Sequence, residues 1–178
     1  VLLFFGFVRE YKGLHVLLEA MPAIAEALPD VHLVIAGEPY DDAARYRDLI
    51  DRHGLHDRVQ WHDTYIPSED VPHYFCAADL VVQPYVSATQ SGVAQIATHF
   101  EVPMVVTDVG GLAEDVPHEE AGFVVPPADP PALADAVRRF FQADWAERLT
   151  HGMREQKRRQ QPERLFEAIE RLLSDSRR

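Results

Sequence analysis

The stretch Val81-Val82-Gln83-Pro84-Tyr85-Val86-Ser87-Ala88-Thr89-Gln90-Ser91-Gly92, followed by Pro103-Met104-Val105-Val106-Thr107-Asp108-Val109-Gly110-Gly111-Leu112-Ala113-Glu114 and running to Val125, decides the fold. It reads as a buried strand, a small polar loop, a short helix and a second buried strand. A polar loop that opens a helix directly after a strand presents free backbone N–H groups and the positive end of the helix dipole to one point. That is a place to hold a phosphate. A second loop of this kind, Gly6-Phe7-Val8-Arg9-Glu10-Tyr11-Lys12-Gly13, follows the first strand of the chain. In an open parallel sheet both loops emerge on one edge. Two phosphate-binding elements on one edge point to a diphosphate.

Outward from this stretch, apolar runs bounded by turn residues alternate with helical patterns. Strands are expected over 1–6, 31–37, 58–62, 80–83, 104–107 and 122–125. Helices are expected over 14–28, 42–53, 71–77, 92–100, 112–116 and 132–142. The run Pro126-Pro127-Ala128-Asp129-Pro130-Pro131 stops the last strand. Residues 144–178 read as a helical extension with a break at Pro162. Such alternation gives an α/β fold, a doubly wound parallel sheet of about six strands with helices on both faces. The whole of 1–178 is expected to be one domain.

Composition narrows the function. The formal charge of -12 repels nucleic acid and anionic membrane, so ligand phosphates must be met by local groups. The cluster Arg154-Glu155-Gln156-Lys157-Arg158-Arg159 is interleaved with acids at helical spacing and reads as a solvated helix face. Two lysines stand against fifteen arginines, a bias that either a high-salt setting or high-GC codon usage produces. Cys76, the lone cysteine, excludes an internal disulfide, fits a reduced cytoplasmic setting and reads as a small core residue in Tyr74-Phe75-Cys76-Ala77-Ala78. No segment is apolar enough over sufficient length to cross a bilayer as a helix. The chain opens directly on a strand without an initiator Met, so a piece of a longer protein is expected.

Arg9 and Lys12 place a forked guanidinium and an ammonium where a helix begins, which suits a pyrophosphate. The amides of Ser91, Gly92 and Val93 are the second half of that site. The nine histidines show no compact ligand spacing, and no metal site is expected. A dinucleotide module is disfavoured because no Gly-x-Gly-x-x-Gly follows the first strand.

Five ordered blocks carry a family resemblance: Gly6…Lys12-Gly13…Leu17-Leu18-Glu19-Ala20, Val31–Glu38, Val59–Ile66, Ala77–Pro84 and Val102–Glu114. Together they resemble the carboxyl-terminal domain of GT-B glycosyltransferases of family 4 (group 1), from the first residue to about the last helix. The resemblance implies a Rossmann-like half that binds a UDP- or GDP-linked sugar. Its amino-terminal partner half, which binds the acceptor, is expected to be absent from this chain. It implies a retaining hexosyltransferase needing no cofactor, cytoplasmic, with any membrane association made through the full-length enzyme. The isolated domain is expected to be inactive.

By the same resemblance Arg9 and Lys12 hold the donor diphosphate, Gly37 and Glu38 form the turn after the second strand, and Tyr65 and Ile66 lie against the base. Arg9 stands nearer the lysine than the family's usual arginine, whose place Phe7 takes. The largest departure is in the polar loop. The family's Glu-x7-Glu pair falls on Ala88 and Ile96, neither of which accepts a hydrogen bond through its side chain. In its place stand Thr89, Gln90, Ser91 and Gln95, polar side chains for ligand hydroxyls, with Gln95 the candidate for the ribose and Gln90 or Ser91 for the sugar, the Gly92-x-x-Gln95 spacing being reminiscent of the glycogen-synthase loop. No general base is evident, and the catalytic residue is unassigned. A degenerate, non-catalytic domain of the same fold, kept for protein interaction, is the rival reading.

Overall fold

The computed structural model describes residues 1–142 and 144–160. Six strands form one parallel sheet: β1 (Leu2–Phe5), β2 (Leu33–Ala36), β3 (Val59–His62), β4 (Leu80–Gln83), β5 (Met104–Thr107) and β6 (Gly122–Val125), in the order β3-β2-β1-β4-β5-β6. The helices are α1 (Leu14–Ala27), α2 (Ala43–Arg52), α3 (Val71–Ala77), α4 (Gly92–Phe100), α5 (Leu112–Asp115), α6 (Pro130–Phe140) and α7 (Trp145–Arg159).

Burial on both faces is what a parallel sheet demands, and β4 and β5 are buried at every position. Alternate residues feed two cores. Leu2, Phe4, Leu80, Val82 and Val105 pack under α1, α2 and α6, while Leu3, Val81, Met104 and Val106 pack under α3, α4 and α5, with Met153 of α7. Strand order reverses between β1 and β4, which are direct neighbours with Leu2 opposite Leu80. A crevice therefore opens at their carboxyl ends, the usual ligand position in doubly wound sheets.

Two expectations need correction. Helix α6 begins at Pro130 rather than 132, because Pro130 and Pro131 occupy its first positions, where a missing N–H costs nothing, and Asp129 caps it through Ala132 N at 2.9 Å. Cys76 is exposed rather than core, since the short α3 buries only Phe75. The expected break at Pro162 and the rest of the extension lie outside the described residues.

Gly13 joins the two site loops mechanically. It sits at φ 69, and a Cβ there would come within 1.9 Å of the Pro84 carbonyl oxygen. Gly13→Ala is expected to cost about 2 kcal/mol or more, through strain and the forced parting of the β1 and β4 loops. Thermal melting checks it as a fall of several degrees.

Candidate functional site

The crevice is built by the two loops that leave β1 and β4. After Phe5 the chain turns at Gly6, φ 96, and continues beside the β2 loop through Val8 N to Glu38 O at 2.9 Å. A single turn, Glu10–Lys12, then brings the Lys12 side chain back under Gly6. A Cβ on Gly6 would stand 3.0 Å from Lys12 Nζ and 3.7 Å from Val93 Cγ2. Lys12 from the first loop and Val93 from the first turn of α4 thus meet at one place.

Lys12 is only 9% exposed and makes no ion pair among the described residues. Its ammonium lies 5.8 Å from the centre of the Tyr85 ring. Burial, with a lesser contribution from the Arg9 charge, pushes its pKa down to about 8. A buried cation without a carboxylate partner costs stability unless something anionic completes it.

The start of α4 supplies the complement. Ser91 is extended and its side chain accepts no capping bond, so the Gly92 and Val93 amides have no hydrogen-bond partner among the described residues. A Cβ placed on Gly92 would meet nothing within 4 Å, so the helix start is open on that side. The Ser91 hydroxyl is buried, with Gln83 Nε2 donating to it at 3.2 Å and Tyr85 Oη 3.4 Å away. Burial pushes the Tyr85 phenol up to about 12.

The polar loop is held from behind by the segment after β5. Gly111 N donates to Thr89 O at 2.9 Å, and a Cβ on Gly110, φ 53, would stand 2.0 Å from Ala88 O. Thr107 Oγ1 donates to Tyr85 O at 2.5 Å. Gly110 and Gly111 therefore let the segment after β5 approach residues 88 and 89 closely.

The remaining candidates distribute around this centre. Gly37 is buried at φ 153, and a Cβ on it would lie 2.2 Å from Gly6 O, so only glycine lets the β1 and β2 loops touch here. Glu38, Tyr65, Thr89 and Gln90 are exposed and Ile66 is half-buried. Arg9 stacks over Tyr40, 4.4 Å from the ring centre. Gln95 is exposed and its amide donates to Asp115 at 3.4 Å, which ties it to α5 rather than to the loop. Ile96 packs half-buried against the α4 core.

Sequence reasoning missed two groups. Gln83 and Tyr85 are buried polar side chains at the crevice floor, and their only signal was a glutamine ending an apolar strand. Of the aromatic group Phe7, Tyr40 and Tyr65, only Tyr65 was expected near the ligand. Phe7 meets Tyr40 edge-on at 4.8 Å and Tyr65 at 6.3 Å, from three separate loops. Tyr40 and Tyr65 are each about 60% exposed and form an open aromatic wall at the β1–β2–β3 end of the crevice.

This geometry offers a cation, a row of amides and an aromatic wall along one sheet edge. Among the described residues no group of three or more His, Cys, Asp or Glu side chains is placed to hold a metal ion, and no helix is long and apolar enough to cross a membrane.

Known proteins share the fold and, in part, the sequence. Residues 1–143 match the family described as "Glycosyl transferases group 1". The chain is 33% identical over 149 residues to a D-inositol 3-phosphate glycosyltransferase of Corynebacterium glutamicum, covering 81% of this chain and 35% of that protein. It spans about a third of the length of the curated relatives it matches. Sucrose-phosphate synthase from Thermosynechococcus elongatus superposes with a TM-score of 0.78 at 28% identity, over 98% of this chain and 45% of that one. Anabaena Alr3699/HepE, crystallised in complex with UDP, superposes with a TM-score of 0.79 at 22% identity, over 98% of this chain and 48% of that one. Fold, crevice and sequence match agree: the chain belongs to the glycosyl transferases group 1 family, and its sheet is the Rossmann-like half of a GT-B fold.

Proposed function

We propose that this chain is the donor-binding domain of a retaining glycosyltransferase that moves a hexosyl group from a UDP- or GDP-linked sugar to an acceptor held by a separate domain. The observation that carries this is the buried Lys12 ammonium, which has no carboxylate partner among the described residues and lies against the open start of α4. A diphosphate placed there receives Lys12 from one side and the Ser91, Gly92 and Val93 amides from the other, with Arg9 at the rim. The base lies against Tyr65, Ile66 and the Gly37–Glu38 turn. Thr89 and Gln90 face the sugar. Gln95 takes the ribose, a contact that requires release of its bond to Asp115.

In this reading the bond between the anomeric carbon and the diphosphate oxygen breaks, and the acceptor oxygen attacks on the same face. Its proton passes to the leaving diphosphate. Charge that grows on that diphosphate meets Lys12 and the helix start, so the chemistry runs without a metal or a protein base. Half of the cleft belongs to the acceptor side, so this domain by itself binds donor without turnover.

A second reading, a non-catalytic domain of the same fold, draws support from Ala88 and Ile96, which replace the expected carboxylates. Calorimetric titration of the chain with UDP, GDP and ADP separates the two. The donor-site reading predicts that one nucleotide binds with micromolar to millimolar affinity and that Lys12→Ala weakens it at least tenfold. No binding by any of the three supports the second reading.

A further inference from the structure

The polar floor of the crevice is more elaborate than a phosphate clamp requires. Gln83 is 2% exposed and Tyr85 3% exposed, and each directs a polar group at the same atom, Ser91 Oγ, which is itself in a residue only 7% exposed. Valine at 83 and phenylalanine at 85 would fill the same space without the cost of burying an amide and a phenol. What the polar pair adds is control of one hydroxyl.

The direction of that control follows from the donors available. Gln83 Nε2 donates to Ser91 Oγ at 3.2 Å. Tyr85 Oη lies 3.4 Å from the same oxygen and has no other hydrogen-bond partner among the described residues. A phenol is the stronger donor of the two hydroxyls, so its proton goes to Ser91. With both of its lone pairs engaged, the serine oxygen has its own proton left to give. Ser91 is the residue that precedes α4, so that proton is delivered at the start of the open amide row. The Tyr85 ring meanwhile stands 5.8 Å from Lys12 Nζ, and Tyr11 packs edge-on behind it at a centroid distance of 6.0 Å. One side chain therefore touches both halves of the anion site.

We propose that Tyr85 is the positioning residue of the diphosphate site: its hydroxyl, together with Gln83, aims the Ser91 O–H at the ligand while its ring fixes the Lys12 ammonium. This rests on the donor-site reading above and adds two residues that the ligand itself does not touch. Hydrogen bonds arranged in series polarise one another, so the Ser91 proton is a better donor to an anion than an isolated serine would offer.

The test is calorimetric titration of the whole 178-residue chain with two probes, UDP and inorganic pyrophosphate, in a cycle of Tyr85→Phe, Ser91→Ala and the double variant. Tyr85→Phe keeps the ring and removes only the hydroxyl. It is expected to weaken both probes about tenfold, the scale of one charge-assisted hydrogen bond, and to have no further effect once Ser91 is alanine. Ser91→Thr, which keeps a hydroxyl, is expected to retain sensitivity to Tyr85→Phe. Tyr85→Leu removes ring and hydroxyl together and weakens binding more; if it does not fold, the Tyr85→Phe cycle decides alone. Unchanged affinity in Tyr85→Phe, or effects of Tyr85→Phe and Ser91→Ala that add independently, overturns the proposal while leaving the donor site standing. Failure of the unsubstituted chain to bind either probe overturns both.

Discussion

Lys12→Met is expected to make the domain more stable and to abolish nucleoside-diphosphate binding. The substitution keeps an unbranched apolar stem in a pocket walled by Gly6, Tyr85 and Val93, and removes only the charge. In the folded chain that charge is disfavoured, its pKa lying at about 8 against an ordinary 10.5. Below pH 8 the full cost of holding the proton is present. Between about 8 and 10.5 the unfolded chain binds the proton that the folded chain has released, so stability rises with pH through this window. Methionine removes the cost at neutral pH, a gain of about 1–2 kcal/mol after allowance for partial solvation. Binding falls at least a hundredfold, because the remaining groups offer amides but no buried positive charge. Denaturant unfolding and titration with UDP read the two effects on one sample. A variant that loses stability and binding together indicates that Lys12 is a packing residue.

Gly110→Val is expected to remove binding with a smaller loss of fold stability. Gly110 lies at φ 53, where a β-branched residue is strained, and its Cβ would come within 2.0 Å of Ala88 O. Something must move, and the polar loop is the part free to do so: Val86, Ser87, Thr89 and Gln90 are exposed, while the strands behind them are buried on every side. Displacing the loop breaks the bond from Gly111 N to Thr89 O and shifts Ser91 from Gln83 and Tyr85. A shift of about 1 Å at a positioned site costs on the order of a hundredfold. UDP titration beside a thermal melt checks it. Wild-type affinity in this variant means that the segment after β5 does not support the site.

The fold was legible because its signals are local and repeated. Each strand is a short apolar run and each is followed by a helical pattern, and for such a chain a doubly wound sheet is the arrangement that buries both faces. The misread start of α6 has a physical reason: the same ring that forbids proline inside a helix suits it at the first positions, so Pro130 and Pro131 mark both an end and a beginning. Cys76 was misread because composition alone cannot say which face of a seven-residue helix is covered, and in α3 only Phe75 is. Of the candidate site, the nearness of Lys12 to the Ser91–Val93 turn was legible, since a cation and a polar helix start carry their chemistry in the sequence itself. Gln83 and Tyr85 were not, because their importance lies in a shared contact with Ser91 from positions that sequence reads as strand end and loop. The grouping of Tyr65 with Phe7 and Tyr40 was invisible for the same reason, the three coming from loops more than twenty residues apart.

In the donor-site reading the buried Lys12 ammonium is the counter-charge of a diphosphate. Proton uptake on binding tests it most directly. At pH 8.5 a lysine with a pKa of about 8 is roughly three-quarters neutral in the free domain, and a bound diphosphate returns it to the charged form. Calorimetry of UDP binding at that pH, in two buffers of different ionisation enthalpy, is therefore expected to show uptake of about 0.7 proton per nucleotide, with affinity falling as the pH rises further. The uptake is expected to vanish in Lys12→Arg, whose guanidinium stays charged throughout. Binding of UDP with no proton taken up by the unsubstituted chain, and with an affinity unchanged in Lys12→Met, would mean that the diphosphate is held elsewhere than on Lys12.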